Sequence, residues 1–447
     1  MLAEGNGNAV FVPSKREISL ATRICFAVRG VISLRNSSSR ALITSTFSSM
    51  FLWGILASIA PLSHSWPFTA HITGTERVLL VLIGPILAIL GNFGMGFLSD
   101  IFGRRRVFIL TMSLYIIGTV VISFSFSVLS LLAGIALAQF GIAGEEIPTI
   151  ALLAEDTPKR KMSFVITNGL NFANIGSAFI AGLLIIVAIG NLGIFLQRMV
   201  ILIPSLGLIG IIVYSRLRLP ESYRWLKSKG RVAEAEKEAT SLGLHQQDFM
   251  VRVQKKINNK ISFAVLTMLA LSQYLTFGLM AYIVPYYEFE GVIVSYLVFF
   301  GVLGASIAGP IAGWLISKGR KNYSLFAYAG GFVTTCIILF EVGNLANLAV
   351  YIPLLFINMV FSEFAWASRT TLEPELFPTP VRGTRIGLVR LVPMIAYPVT
   401  IYLFANFSLF QEILSNVVLW AIGLAGALIW FIAGVETRNL DLDFQAV

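Results

Sequence analysis

Charge is what this sequence has least of. Only 13% of its 447 residues are Asp, Glu, Lys or Arg, about half the ~25% of an ordinary soluble domain, and that scarcity excludes a water-soluble globular chain. Cysteine is nearly absent as well. Cys25 and Cys336 make no disulfide framework, so the redox compartment is not encoded. The three histidines form no His/Cys/carboxylate cluster with metal-ligand spacing, and no Walker-type glycine loop is present. No metal, nucleotide or other cofactor is therefore expected. No nucleophile stands beside a base or a phosphate cradle, which leaves an enzymatic reading without support. A cleavable signal pattern is missing too, and the polar, mildly basic residues 1–40 read as a retained cytosolic arm.

What the chain has in abundance is apolar helix. Hydrophobic residues make up 56% of it, gathered in runs of about 20, the length a helix needs to cross a ~30 Å hydrocarbon core. Runs of that length exclude a β-barrel, whose strands are about half as long. Twelve spans are expected, at roughly 41–62, 77–98, 107–126, 129–153, 162–188, 196–216, 262–285, 293–316, 323–341, 348–370, 386–406 and 413–434. With the amino terminus inside, only Arg77 and Arg198 among the 33 Lys and Arg fall on the outer side. The positive-inside rule then puts both termini in the cytosol, with His64 and His71 in an outer loop. The net charge of +10 is membrane topology plus attraction to anionic lipid, and nucleic acid is not an expected partner.

The chain also repeats itself. "GFLSDIFGRRR" (96–106) after the second run is echoed by "GWLISKGRK" (313–321) after the eighth, with Ser317 in the place of Asp100. Glu155-x2-Pro158 after the fourth run is echoed by Glu375-x2-Pro378-x3-Arg382 after the tenth, and Pro220-Glu221-Ser222 by Val435-Glu436-Thr437-Arg438. These offsets of about 217 residues divide the chain into two parallel six-helix copies, the plan in which substrate sits between halves near the midplane. The expected organisation is an arm at 1–40, a first bundle at 41–216, a helical cytosolic linker at 217–260, a second bundle at 261–434 and a cytosolic tail at 435–447. Within the linker, "RVAEAEKEATSLG" has helix-forming composition and ends on Gly243, a natural stop.

These landmarks resemble the major facilitator superfamily. The 96–106 motif is similar to that family's loop between helices 2 and 3. "PESYRWLKSKGR", "ELFPTPVRG" and the weaker "VETRNL" resemble its sugar-porter and metabolite:proton symporter branches. The resemblance implies twelve transmembrane helices in two pseudo-symmetric bundles, alternating access, and a cell-membrane protein that works as a monomer. It also implies a cytosolic gate built from Asp100, Arg104, Arg105, Glu155, Glu221, Arg224, Glu375 and Arg382. Physically, Asp100 has two partners open to it, the neighbouring arginines or the positive amino terminus of a nearby helix. The bland alternative is that these charges only set topology. Ser317 in place of an acid predicts a weaker latch in the second half.

Ionisable residues deep in apolar helices are costly and mark function by default. Glu146 lies about 13 Å inward of Glu155, and Glu363 about 18 Å from Glu375, at 1.5 Å per helical residue. Both are candidate proton carriers, with Glu145 as a third. Glu145 and Glu146 point ~100° apart on an ideal helix, so one of them faces the cavity, and the resemblance of Gly144-x-Glu146-x-Pro148 to helix 4 of proton symporters favours Glu146. Arg390 is a candidate anion partner if it reaches the cavity. Gln273 and Tyr274 fall near the sugar-porter Gln-Gln-Leu-Ser-Gly stretch. Tyr282 lies half a turn away from Gln273, so the two share the cavity only if Gly278 loosens the helix. Asn171 and Asn174 share a face, as substrate contacts or as interhelical glue, and Trp53 packs over either substrate or core.

Three features depart from a sugar porter. "MFLWGILAS" carries no acid, Leu279 stands near the expected asparagine, and "AWASRTTLEPE" replaces a Gly-Pro-x-Pro-Trp run. One arginine among carboxyls suits a small organic acid moved with protons better than a sugar. The expectation is therefore a secondary active transporter of a small metabolite, an organic acid taken up by proton symport. A sugar uniporter or sugar:proton symporter is the alternative, and a non-transporting sensor on the same scaffold a further one.

Overall fold

The computed structural model describes residues 37–62, 73–190, 192–242 and 259–438. Most of the expected arm and tail, His64, His71, Cys25 and the end of the linker from Gly243 lie outside these. The described residues form twelve helices long and apolar enough to cross a membrane: spans 1 (Ser38–Ala60), 2 (Gly74–Phe102), 3 (Arg104–Ser123), 4 (Val128–Asp156), 5 (Lys161–Ile189), 6 (Phe195–Leu217), 7 (Lys260–Glu288), 8 (Val292–Ile316), 9 (Lys321–Phe340), 10 (Leu348–Glu375), 11 (Thr379–Phe404) and 12 (Leu409–Ala433). No strand occurs among the described residues.

Several helices run a turn past the apolar stretches because polar residues cap them. Thr73 and Glu76 form a capping box that starts span 2 three residues before Arg77 ends its first turn, and Ser408 with Gln411 does the same for span 12. Such boxes satisfy orphan N–H groups that lipid or a dry interface would leave unpaired. Span 6 is followed by two short helices, Tyr223–Ser228 and Val232–Leu242, the second on the segment whose composition predicts it.

Helix packing follows the small residues. A Cβ built on Gly54 of span 1 would lie 1.9 Å from the Ala173 carbonyl oxygen of span 5, and one on Gly176 would lie 2.0 Å from that of Phe51. Only glycine allows these two helices to touch backbone to backbone. Between the halves, span 5 packs on span 8 and span 2 on span 11. At the first of these seams a Cβ on Gly309 would sit 2.0 Å from Asn171 Nδ2, so the missing side chain makes room for an amide that donates to the Ser306 carbonyl at 2.8 Å.

The duplication seen in the sequence is visible atom by atom. At the basic end of the molecule Arg104 Nη1 donates to Ser99 O and Nη2 to Glu155, whose other oxygen takes the Ser222 hydroxyl. In the second half Arg320 Nη1 donates to Ile316 O and Nη2 to Glu375, which takes the Thr437 hydroxyl. Glu221 accepts the N–H groups of Arg104 and Arg105, and Glu436 those of Arg320 and Lys321. Two copies of one six-helix design face each other.

Candidate functional site

Between the bundles, near mid-membrane, lies a cavity of about 170 Å³. Its floor, toward the basic end, holds the charged side chains of Glu146 from span 4 and Arg369 from span 10. Span 4 is not one continuous helix. It runs Val128–Ala143, breaks, and resumes at Glu146–Asp156. Pro148 has no N–H to return to the Gly144 carbonyl, and a Cβ on Gly144 would sit 2.7 Å from Met95 Cγ. The break sends the two adjacent glutamates to different partners. Glu145 turns into the first bundle, where Arg216 Nη2 approaches it at 2.6 Å and Thr111 donates at 3.0 Å. Glu146 lines the cavity, accepts from Asn92 at 3.3 Å and meets Arg390 of the opposite half at 2.6 Å.

Arg390 has no edge left for a ligand. Its Nη1 is on Glu146, while Nε and Nη2 donate to Glu373 at 3.1 and 2.6 Å. Glu373 in turn takes Arg369 Nη1 at 2.9 Å, one helical turn back on span 10. The result is an alternating chain, Glu146, Arg390, Glu373, Arg369, all buried, two charges of each sign. It is Arg369 that lines the cavity, not Arg390. Arg369 and Glu373 escape a sequence reading because "AWASRTTLEPE" registers as a departure from a known run. The signal that finds them is an Arg and a Glu four apart inside an apolar helix, an ion pair by spacing alone.

Span 7 reconciles Gln273 with Tyr282. Residues Leu279–Ile283 form a π-turn, which inserts extra backbone into the helix and brings both side chains to the cavity wall. Tyr274 lies between them, edge-on to Tyr397 with ring centroids 5.5 Å apart. Gln273 Oε1 accepts from Arg369 Nε at 3.0 Å. Tyr282 shares a 2.9 Å hydrogen bond with Ser177 of the first half. Trp53 also lines the cavity.

Glu363, like Glu412 of span 12 outside the cavity lining, stands apart from the arginine-paired carboxylates. It is buried, and among the described residues no Lys or Arg pairs with it. Its partner is Asn174, whose Nδ2 donates to it at 2.8 Å across the seam between spans 5 and 10. Asn174 itself lines the cavity and donates also to Asn171, the residue that bridges to Ser306. Asn171 thus lies behind the cavity wall and Asn174 in it.

Contacts between halves lie toward both ends of the cavity. At the basic end Arg382 Nη1 lies 2.7 Å from Glu155. Asp100 takes both partners open to it: Arg104 at 3.2 Å, and the N–H of Thr384 at 2.8 Å in the first turn of the helix beginning at Arg382, where the dipole favours an anion. Glu221 is half-buried alongside. Burial pushes its carboxyl above the ordinary glutamate range, against the downward pull of the N–H groups of Ser222, Arg104 and Arg105. Arg105 Nη2 caps the Leu217 carbonyl, and Arg224 lies over the Tyr223 ring. Glu375 stays within its own half. At the opposite end Arg77 Nη2 donates to the Tyr286 carbonyl at 3.2 Å while the Tyr286 hydroxyl donates to the Arg77 carbonyl at 3.0 Å.

Comparison with known proteins agrees with this architecture. The profile of the Major Facilitator Superfamily matches residues 42–400. The minor myo-inositol transporter IolF of Bacillus subtilis (strain 168) is 27% identical over 353 residues, 75% of this chain and 76% of that one. The niacin transporter NiaP of Acinetobacter baylyi (strain ATCC 33305 / BD413 / ADP1) is 24% identical over 418 residues, 87% and 91% of the two chains. Among solved structures, the proton:xylose symporter XylE bound to 6-bromo-6-deoxy-D-glucose matches with a TM-score of 0.73 at 15% identity, over 91% of this chain and 98% of that one. Identity that low speaks for the fold.

Proposed function

Because the chain belongs to the Major Facilitator Superfamily, we propose that it carries one small organic acid at a time through the central cavity by alternating access, together with a proton taken up by Glu363. It does so as a monomer in the cell membrane, with both termini in the cytosol and the Arg104 end facing inward. The observation that carries this reading is the pairing pattern of the buried carboxylates. Glu145, Glu146, Glu155, Glu373 and Glu375 each have an arginine within 3.0 Å, whereas Glu363 has an amide. A carboxyl that no cation holds in place is free to change protonation when the halves part, which is what proton coupling needs.

Charge balance links the proton to the acid. The cavity floor holds two arginines and two glutamates, so an incoming carboxylate adds one uncompensated negative charge in a dry site. An isolated buried charge is costly enough that such groups neutralise instead. A proton on Glu363, one amide away from the cavity wall, keeps that carboxylate from adding to a second negative charge, so that acid and proton cross together.

A polyol is the second reading, favoured by Gln139, whose amide lines the cavity with no hydrogen bond among the described residues. Of the other amides, Asn174 is committed to Asn171 and Glu363, and Gln273 gives its oxygen to Arg369. Each unpaired hydroxyl of a buried sugar costs about 1–3 kcal/mol, and the few amide groups left do not match a ring of hydroxyls.

The test is proton-gradient-driven uptake into liposomes containing purified protein. Glu363→Gln is expected to retain exchange of labelled acid across the bilayer and to lose accumulation against a gradient. Accumulation by Glu363→Gln equal to wild type would remove Glu363 from the mechanism.

A further inference from the structure

We infer that Arg369 is the anchor for the substrate's carboxylate, and that the substrate carries this carboxylate on a single planar ring. The inference rests on the organic-acid reading above and narrows it to a chemical class and a residue.

Arg369 is buried on span 10 and lines the cavity. Two of its three nitrogens are fixed from different sides, Nε on Gln273 and Nη1 on Glu373. Nη2 makes no hydrogen bond among the described residues, so it is the guanidinium nitrogen left to a ligand. A planar fork held at two points presents its remaining edge in one orientation, and guanidinium recognises carboxylate with directional, charge-assisted hydrogen bonds. Arg390, by contrast, is used up between two glutamates.

The walls beside Arg369 are rings. Trp366 lies one turn before it on the same helix, tilted 35° to Phe277 with centroids 6.4 Å apart, and Tyr274 meets Tyr397 edge-on. All four line the cavity. Flat faces and edges of this kind pack against a flat ring in offset or edge-to-face geometry. Size agrees: about 170 Å³ is slightly more than the ~150 Å³ apolar cavity that holds one benzene. There is room for one ring with a small substituent.

The experiment compares benzoate and nicotinate with their neutral amides, benzamide and nicotinamide, and with myo-inositol, by quenching of tryptophan fluorescence in nanodiscs and by uptake into liposomes. Each acid is isosteric with its amide, so their affinity ratio reads the charge contact alone. Wild type should bind the acids at least about tenfold more tightly than the amides, the scale of a charge-assisted hydrogen bond. Arg369→Gln should bring that ratio to about one while changing amide affinity less than about threefold, and Arg369→Lys should fall between. An acid preference undiminished in Arg369→Gln, or acid and amide weakened alike, overturns the anchor and leaves the organic-acid reading standing. Transport of myo-inositol with no binding of either acid overturns both. If Arg369→Gln fails to fold, Arg369→Lys decides: an unchanged ratio refutes the assignment.

Discussion

Glu155 Oε1 is shared by Arg104 at 3.0 Å from its own half and by Arg382 at 2.7 Å from the other. One carboxylate oxygen therefore locks a helix end and joins the bundles. Its repeat partner Glu375 binds Arg320 and Thr437 and, among the described residues, nothing across the seam, and Ser317, in the place of Asp100, turns its hydroxyl back to Trp314 O. Glu155→Gln should accordingly open the basic end far more than Glu375→Gln, since breaking a buried pair costs about 3–5 kcal/mol. In a background free of native cysteines, an impermeant thiol reagent applied from that face should label Ala143→Cys in the cavity at least tenfold faster with Glu155→Gln. Equal rates for the two variants would mean that the latch is symmetric.

Arg390 serves two carboxylates, one on each side of the seam. Arg390→Met strands Glu146 in a dry site, and a loss of about 3–5 kcal/mol is expected. Adding Glu146→Gln removes that stranded charge, while Glu373 keeps Arg369. The double variant should melt at a higher temperature than Arg390→Met alone. If it does not, Glu146 is not the group left uncompensated.

Glu221 offers a pH test. Its carboxyl is raised by burial, so relative to a neutral side chain at that position its contribution is greatest below the ordinary glutamate range, near pH 4, and declines as pH rises through the elevated value of the folded protein. The melting temperature of wild type minus that of Glu221→Gln should fall from pH 4 upward and then level off. A difference that grows with pH would mean that the N–H groups of Ser222, Arg104 and Arg105 outweigh burial.

The spans and the charged cluster at the basic helix ends were legible because their signals are local. Twenty apolar residues mean a crossing wherever they occur, and Asp100, Glu155 and Arg382 sit at helix ends where charge is conspicuous against grease. The pairing of deep charges was not legible, because it depends on which helices meet. Arg216 looks topogenic at the end of span 6, yet it reaches Glu145 more than seventy residues earlier. Arg390 reads as a free cation until Glu373, a neighbour only in space, occupies it. The π-turn at Leu279–Ile283 leaves no residue signature beyond Gly278, where a Cβ would fall 2.3 Å from the Tyr397 hydroxyl, so the shared wall of Gln273 and Tyr282 could be stated only as a condition.

At the end opposite the arginines, Arg77 and Tyr286 make two hydrogen bonds, each using the side chain of one residue and the carbonyl of the other. Arg77→Ala deletes one bond and leaves the second intact, and Tyr286→Phe does the reverse. Their effects on closure should therefore add, at about 1 kcal/mol each, apart from one interaction that needs both side chains: the guanidinium lies 5.2 Å from the Tyr286 ring centroid. Because Phe keeps a ring, Tyr286→Leu is the partner that isolates it. The cycle of Arg77→Ala and Tyr286→Leu should show a coupling of about 0.5–1 kcal/mol, that of a cation over a ring, whereas the cycle with Tyr286→Phe should show much less. Accessibility of a cavity cysteine from this face measures both cycles. A coupling that is equally large with Phe would mean that the two hydrogen bonds form only together, as a single latch.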